Sequence, residues 1–216
     1  MTRIDAICSR AGIAPRIKMC GFTRAEDVDA AVAVGADALG FVFYPQSPRH
    51  VTTEVAARLV RRLPPFVLAV GLFVNAKERE IEAVLASVPL NLLQFHGDET
   101  PEDCARWQCP WIRAARVRPG LDLIRYAEAF SGARALLLDS FSKTAYGGSG
   151  KSFDWALIPP ALPLPIILSG GLDAENVGEA IQRVRPAAVD VSSGVEAKGI
   201  KDAARMVAFV RAVRAV

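Results

Sequence analysis

Short apolar runs alternate with amphipathic segments along nearly the whole chain. The apolar runs are rich in branched and aromatic residues and are typical of buried strands. The segments between them space their apolar residues like one face of a helix. Strands are predicted over residues 17–20, 38–43, 67–74, 90–95, 111–117, 133–139, 165–170 and 187–192. Helices are predicted over residues 23–35, 52–63, 76–88, 100–107, 173–184 and 200–213, with weaker signals over 121–130 and 153–158.

Residue types at the ends of two helical segments support the assignment. Thr23, with Glu26 three residues later, has the pattern of a capping box, and Gly35 fits the left-handed position after a helix. Pro101 stands at the first position of another predicted helix, where its missing N–H is not needed. We therefore expect the first helix to be capped by Thr23 and to end at Gly35.

The alternation of strands and helices predicts parallel strands joined by right-handed crossovers. Eight such units in 216 residues fit an α/β fold, a single closed (β/α)8 TIM barrel near the lower end of its size range. An open, doubly wound sheet is the structural alternative. No shift in composition suggests a second domain, so residues 16–216 are expected to form the barrel and residues 1–15 a flexible lead-in.

Composition narrows the classes of partner and compartment. The net charge is +3 and no block of lysine or arginine stands out, so neither nucleic acid nor a membrane is an expected partner. Cys8, Cys20, Cys104 and Cys109 are too scattered for a disulfide framework and lack zinc spacing. We expect a chain of the reducing cytoplasm, with no metal ion and no membrane span.

Two glycine-bearing loops follow neighbouring predicted strands, at the end of a barrel where its chemistry is found. Gly170 and Gly171 follow the seventh strand, and Gly194 follows the eighth. Loops at these positions commonly bind phosphate through backbone N–H groups, and glycine lets the backbone approach the anion closely. Tight strand-to-helix turns would use the same glycines, but their pairing on neighbouring strands favours a phosphate site.

Cys20 and Asp139 are the candidates for proton transfer. Cys20 ends the first strand just before a helix, and Lys18 lies on the same face of the strand. A helix N-terminus and an ammonium group both favour a thiolate, although an inert buried cysteine is equally compatible. Asp139 ends the sixth strand and suits a general acid, with a turn cap as the alternative. We expect the first and sixth strands to face each other, and Lys18 and Asp190 to line the site.

Arg49 follows the second strand in a loop stiffened by Pro45 and Pro48. Its guanidinium offers a fork for a carboxylate, with a solvated loop charge as the alternative. His50 and His96 are the only histidines, too few for a zinc-type site without carboxylates. His96 is predicted to line the site.

Residues 145–152, AYGGSGKS, end like a phosphate-binding P-loop. Their context does not fit, because a P-loop follows its strand directly and opens a long helix. Here five residues intervene after the sixth strand, and prolines interrupt the following segment. We expect a mobile loop beside Asp139 that closes over the site and excludes water.

The chain contains, in order, the blocks KMCGFT, GFVFYPQSPR, VGLFVN, QFHGDE, DSFSKTAYGGSGKSFDW, LSGGLDAENV and VDVSSGVEAKGIKD. Together these resemble the motif series of the phosphoribosylanthranilate isomerase family of tryptophan-pathway barrels. The resemblance runs from about Arg16 to the last predicted helix. The departures are Phe95, where the family more often has Leu, and Ser149, where it often has Thr. Neither residue is a proposed acid or base.

The resemblance implies an Amadori rearrangement of a phosphorylated aminoaldose to an aminoketose. It implies that Asp139 is the acid that opens the ribose ring, that Cys20 is the base at C2, and that Arg49 binds the anthranilate carboxylate. No metal or organic cofactor is implied, since proton transfers suffice. The implied phosphate site consists of Gly170, Gly171, Ser193 and Gly194.

Three other functions stay open on the sequence. One is a different barrel enzyme, such as a Schiff-base aldolase using Lys18 or a phosphosugar epimerase. The others are an NTPase and a non-catalytic phosphate-binding barrel. A monomer and a homodimer are both compatible with the sequence.

Overall fold

Eight parallel strands close into a barrel, in a computed structural model that describes residues 14–140 and 153–216. The strands follow one another around the ring in chain order, and β1 pairs with both β2 and β8. The strands are β1 Arg16–Cys20, β2 Ala38–Val42, β3 Leu68–Phe73, β4 Leu92–Phe95, β5 Trp111–Val117, β6 Leu136–Ser140, β7 Ile166–Leu168 and β8 Ala188–Val191.

The pairing of β1 with β8 decides between the two predicted architectures. Lys18 lies in register with Asp190, and Met19 with Val191. An open, doubly wound sheet would leave these edges unpaired. The predicted (β/α)8 barrel is therefore confirmed, and the open sheet is wrong.

Helices follow most of the strands and cover the outside of the barrel. In the part of the chain that the structure describes they are α1 Ala25–Val34, α2 Thr53–Val60, α3 Glu78–Ser87, α4 Pro101–Ala105, α5 Leu123–Ala129, α6 Val177–Val184 and α7 Ala203–Arg214. The weakest helical signal, over 153–158, corresponds to one 3-10 turn, Trp155–Leu157, because prolines follow it directly. None of these described helices is long and apolar enough to cross a membrane.

The start of α1 differs from the prediction. Its N-cap is Arg24, which makes no side-chain cap hydrogen bond, so the capping box at Thr23 and Glu26 is wrong. The Arg24 guanidinium instead forms a bidentate ion pair with Asp27, with Nε–Oδ2 at 2.8 Å and Nη2–Oδ1 at 2.6 Å. This ion pair holds the first turn in place of a cap. Gly35 ends the helix in the left-handed conformation, at φ 88°, as predicted.

Successive strand residues face opposite sides of the barrel wall. Met19, Leu39 and Phe41 pack outwards, in the main core beneath the helices. The barrel interior holds separate apolar groups, one of which contains Cys20 and Leu72. This alternation directs the even-numbered residues of β1 towards the site.

The ring order corrects one expectation about the site. β7 and β8 lie between β6 and β1, so the strand opposite β1 is β5. Cys20 and Asp139 therefore project from strands three steps apart rather than from directly opposed strands.

A short antiparallel hairpin extends the chain after β8. A 3-10 turn, Ser193–Val195, leads into β9 Glu196–Ala197, which pairs with β10 Ile200–Lys201. The hairpin precedes α7 and contributes two charged residues to the site.

Candidate active site

Lys18 and Asp190 form a buried ion pair between β1 and β8. Lys18 Nζ donates to Asp190 Oδ1 at 2.7 Å, and Ser169 Oγ donates to Oδ2 at 3.3 Å. Burial, the largest influence, lowers the pKa of Lys18, but Asp190 and Cys20 together outweigh it and raise that pKa. A Schiff-base lysine needs a depressed pKa. The pair therefore argues against the aldolase alternative and gives both predicted lining residues a location inside the barrel.

Cys20 lies at the end of β1, with its sulfur against Gly40 of β2. Burial, the largest influence, raises the pKa of the Cys20 thiol above the ordinary 9.0, whereas Lys18 lowers it. Lys18 therefore favours the thiolate, as expected, but it does not bring the pKa below the ordinary value. Desolvation outweighs the ammonium, and α1 begins only at Ala25.

Asp139 lies in β6 and is held by two neighbours. Its Oδ2 is 3.1 Å from His96 Nε2, and its Oδ1 accepts the Ser140 N–H at 2.9 Å. His96 Nδ1 in turn lies 3.0 Å from Gln94 Nε2. Gln94, His96 and Asp139 are all buried. His96 was predicted to line the site, but Gln94 was not; the available signal was a polar residue inside an apolar strand.

The orientation of the Gln94 amide decides what His96 offers to Asp139. When the amide nitrogen donates to Nδ1, the ring proton lies on Nε2 and is donated to a carboxylate. Gln94 Oε1 has no hydrogen-bond partner among the described residues. A half-turn of the amide would let Oε1 accept an Nδ1 proton, and Nε2 would then accept the proton of a neutral Asp139.

Arg49 is not a solvated loop charge, because it is paired with a buried carboxylate. Its Nε and Nη2 donate to the two oxygens of Glu196, both at 2.7 Å. Lys201 Nζ donates to Glu196 Oε1 at 2.7 Å. Burial raises the pKa of Glu196, but Arg49 and Lys201 together hold it below the ordinary 4.5. Neither Glu196 nor Lys201 was predicted; their only signal was a position just after the second glycine loop.

The two glycine loops lie side by side. Gly170 and Gly171 adopt left-handed conformations, with φ of 85° and 66°. Gly194 approaches the Leu172 carbonyl so closely that a Cβ atom would have no room. Ser193 and Gly194 begin the 3-10 turn after β8. The loops therefore have the proximity that the predicted phosphate site requires.

The expected flap over residues 145–152 lies outside the described residues. Within 14–140 and 153–216, no group of three or more His, Cys, Asp or Glu side chains is arranged to hold a metal ion.

A family model described as N-(5'phosphoribosyl)anthranilate (PRA) isomerase matches residues 17–212. The chain belongs to this family. The match spans the barrel strands except Arg16 at the start of β1, so every candidate site residue lies within it. The sequence resemblance is thereby confirmed.

Relatives and solved structures agree with the isomerase family. The N-(5'-phosphoribosyl)anthranilate isomerase of Dechloromonas aromatica (strain RCB) is 61% identical over 200 residues, 92% of this chain and 96% of that relative. The phosphoribosyl anthranilate isomerase of Thermotoga maritima superposes with a TM-score of 0.84 at 41% identity, covering 94% of this chain and 100% of that one. A phosphoribosyl anthranilate isomerase in complex with reduced 1-(o-carboxyphenylamino)-1-deoxyribulose 5-phosphate has a TM-score of 0.81 and 41% identity, with the same coverage. A structure of monomers generated from the dimeric T. maritima isomerase has a TM-score of 0.83 and 39% identity, with the same coverage.

Proposed function

We propose that this chain catalyses the rearrangement of N-(5'-phosphoribosyl)anthranilate to 1-(2-carboxyphenylamino)-1-deoxyribulose 5-phosphate in tryptophan biosynthesis. Membership of the family supports this, and a family member binds the reduced product. The observation that carries the proposal is the convergence of complementary groups at one barrel mouth. The parts of this substrate match a buried carboxyl, a buried thiol, a bidentate arginine and two touching glycine loops.

Ring opening is assigned to Asp139. Its carboxyl gives a proton to the ribose ring oxygen, the C1–O bond breaks, and the anthranilate nitrogen forms a Schiff base with C1. The His96 ring nitrogen at 3.1 Å from Asp139 supports this role, since it accepts from the acid or donates to the carboxylate according to its tautomer.

Proton abstraction is assigned to Cys20. Its thiolate takes the proton from C2, and the electron pair of that C–H bond flows towards the Schiff-base nitrogen to give an enolamine. Tautomerisation then adds a proton at C1 and removes one from the C2 hydroxyl, so the product is an isomer of the substrate. Lys18 stabilises the thiolate form, since its ammonium lowers the pKa of Cys20.

Substrate binding is assigned to Arg49 and the two glycine loops. Arg49 binds the anthranilate carboxylate through the part of its fork that Glu196 does not use. The substrate phosphate binds the two glycine loops through backbone N–H groups of Gly170, Gly171, Ser193 and Gly194. The contact between Gly194 and Leu172 supports a shared phosphate site, because it brings both loops within reach of one anion.

A homodimer is favoured over a monomer by the dimeric T. maritima relative. We assign the whole activity to residues 16–216, with residues 1–15 dispensable. A variant lacking residues 1–15 is expected to turn over substrate like the full chain. Sedimentation of the full chain distinguishes monomer from dimer. Cytoplasmic location stays a prediction.

Complementation tests the proposed activity. A strain that lacks this isomerase should grow without tryptophan when it expresses the chain. Cys20→Ala is the matched control, since loss of one general base is expected to lower kcat by at least about 10²-fold with little loss of product-analogue binding. A folded, expressed chain that neither restores growth nor turns over the purified substrate would contradict the proposal.

A further inference from the structure

We infer that Glu196 is a positioning residue for Arg49 and thereby sets the preference for substrates that carry a carboxylate. The inference rests on the proposed function, which assigns the anthranilate carboxylate to Arg49. It concerns a contact within the chain and leaves the acid and the base unchanged.

The hydrogen bonds between the two side chains use one edge of the guanidinium. Arg49 Nε and Nη2 point at Glu196, each at 2.7 Å. A guanidinium has five N–H donors in one plane, so three are left over. One N–H on each Nη nitrogen forms the end edge of the fork, which matches a second carboxylate. Glu196 therefore aims the end edge of Arg49 instead of blocking it.

Glu196 is itself held in place. Lys201 Nζ donates to Glu196 Oε1 at 2.7 Å and to the Ser192 carbonyl at 3.0 Å. Glu196 and Lys201 are also cross-strand partners in the β9–β10 hairpin. The side chains of Glu196 and Lys201 are only 6% and 2% exposed. A substrate cannot displace this carboxylate without separating a buried ion pair, so direct competition for Arg49 is disfavoured.

The aliphatic stem of Arg49 is constrained by its contact with Gly21. Gly21 has φ 91°, and a Cβ atom there would overlap Arg49 Cδ. The arginine therefore crosses directly over the residue that follows Cys20. Ser192 Oγ also donates to the Cys20 carbonyl at 2.9 Å. Glu196 and Gly21 together fix the carboxylate fork relative to the proposed base.

Loss of Glu196 leaves two cations with no shared anion. Arg49 and Lys201 repel each other at this site, since the Arg49 charge acts to lower the pKa of Lys201. Arg49 would turn towards solvent, where it could still meet a carboxylate but at an entropic cost. Recognition of the carboxylate should therefore weaken while recognition of the phosphate persists.

Ligand pairs isolate this effect. The probes are reduced 1-(o-carboxyphenylamino)-1-deoxyribulose 5-phosphate and the same compound without its aromatic carboxylate. Glu196→Ala should weaken binding of the first by about tenfold or more, and of the second by less than about threefold. In turnover, KM should rise more than kcat falls. Glu196→Gln keeps one acceptor and the side-chain volume, so it should lie between Glu196→Ala and wild type.

Asp29→Ala is the matched control. Asp29 accepts the same Nε and Nη2 edge of Arg62, but that pair is exposed on the outside of the barrel. This variant should bind both probes like wild type. If Glu196→Ala does not fold, Glu196→Gln carries the test with the same ligand pair.

Three results would overturn the inference. Equal loss of both probes would make Glu196 a support of the loop or fold. Unchanged binding of both would remove its role, and tighter binding of the carboxylate probe would make it a competitor for Arg49. A wild-type chain that does not turn over N-(5'-phosphoribosyl)anthranilate would instead contradict the proposed function, whatever these binding ratios are.

Discussion

The imidazole of His96 and the carboxyl of Asp139 meet inside the barrel, with 3.1 Å between Nε2 and Oδ2. A histidine nitrogen donates or accepts according to its tautomer, so this contact satisfies both the acid and the carboxylate form of Asp139. A lysine or arginine in the same place would serve only the carboxylate. The pairing therefore suits a group that gives up and regains a proton in each catalytic cycle.

Asp139→Asn keeps the shape of the side chain but has no proton to give to the ring oxygen. We expect kcat to fall by at least about 10²-fold, with affinity for the reduced product analogue largely retained. The diagnostic substrate is an analogue already in its open-chain form, on which the variant should recover activity. Equal inactivity on that analogue would mean that Asp139 has a role other than ring opening.

The fold followed from the sequence because its signals are local. Each strand, such as Leu136–Ser140, is a short buried run whose pattern is independent of its neighbours. Strand order then followed from the preference of strand–helix units for right-handed crossovers. The predicted capping box of Thr23 and Glu26 is wrong because α1 begins one residue later. Arg24 and Asp27, which are also three residues apart, pair there instead.

The site followed from the sequence only in part. Cys20, Asp139 and Arg49 were predictable, because strand ends carry the chemistry of a barrel. The partner of Arg49 was not predictable, since Glu196 lies 147 residues further along the chain. The pKa shift of Cys20 was not predictable for a similar reason: burial depends on the packed barrel, whereas Lys18 is visible two residues away in the sequence.

Arg49→Ala removes a carboxylate partner that takes no part in proton transfer. KM should therefore rise more than kcat falls, and the affinity lost should be about 10- to 150-fold, the range of a charge-assisted bidentate contact. Steady-state kinetics with substrate and binding of the two reduced product probes measure this. If wild type and Arg49→Ala discriminate equally between the probes with and without the carboxylate, Arg49 does not read that group.

The buried pair of Lys18 and Asp190 makes a stability prediction. Both side chains are 6% exposed, so removing one partner leaves an unpaired charge in the barrel interior. Lys18→Met alone should lower the free energy of unfolding by about 3–5 kcal/mol, and the double variant Lys18→Met with Asp190→Asn should recover most of that loss. Denaturant unfolding of the two single variants and the double variant gives the coupling free energy. A single variant as stable as wild type would contradict this account of the pair.

The pH dependence follows from the environment of Cys20. Burial raises the pKa of its thiol above 9.0, so the thiol form dominates at neutral pH. If the thiolate is the base, kcat/KM for the open-chain analogue, which does not need a protonated Asp139, should rise about tenfold per pH unit through neutral pH and continue to rise beyond pH 9. Cys20 also affects the stability of the fold, but this contribution decreases as pH rises. A group whose pKa is raised by folding stabilises the fold below its unfolded pKa and loses that contribution as pH rises through the folded value.

Alkylation tests whether the rising limb of kcat/KM reports the ionisation of Cys20 or of another group. Iodoacetamide reacts with the thiolate, so the pH profile of modification at Cys20 should coincide with the rising limb of kcat/KM. Cys104 is an internal comparison, because it is fully buried whereas Cys20 keeps 5% exposure, and it should therefore react more slowly than Cys20. A rising limb of kcat/KM near pH 7 that is absent from the Cys20 alkylation profile would show that another group is the base.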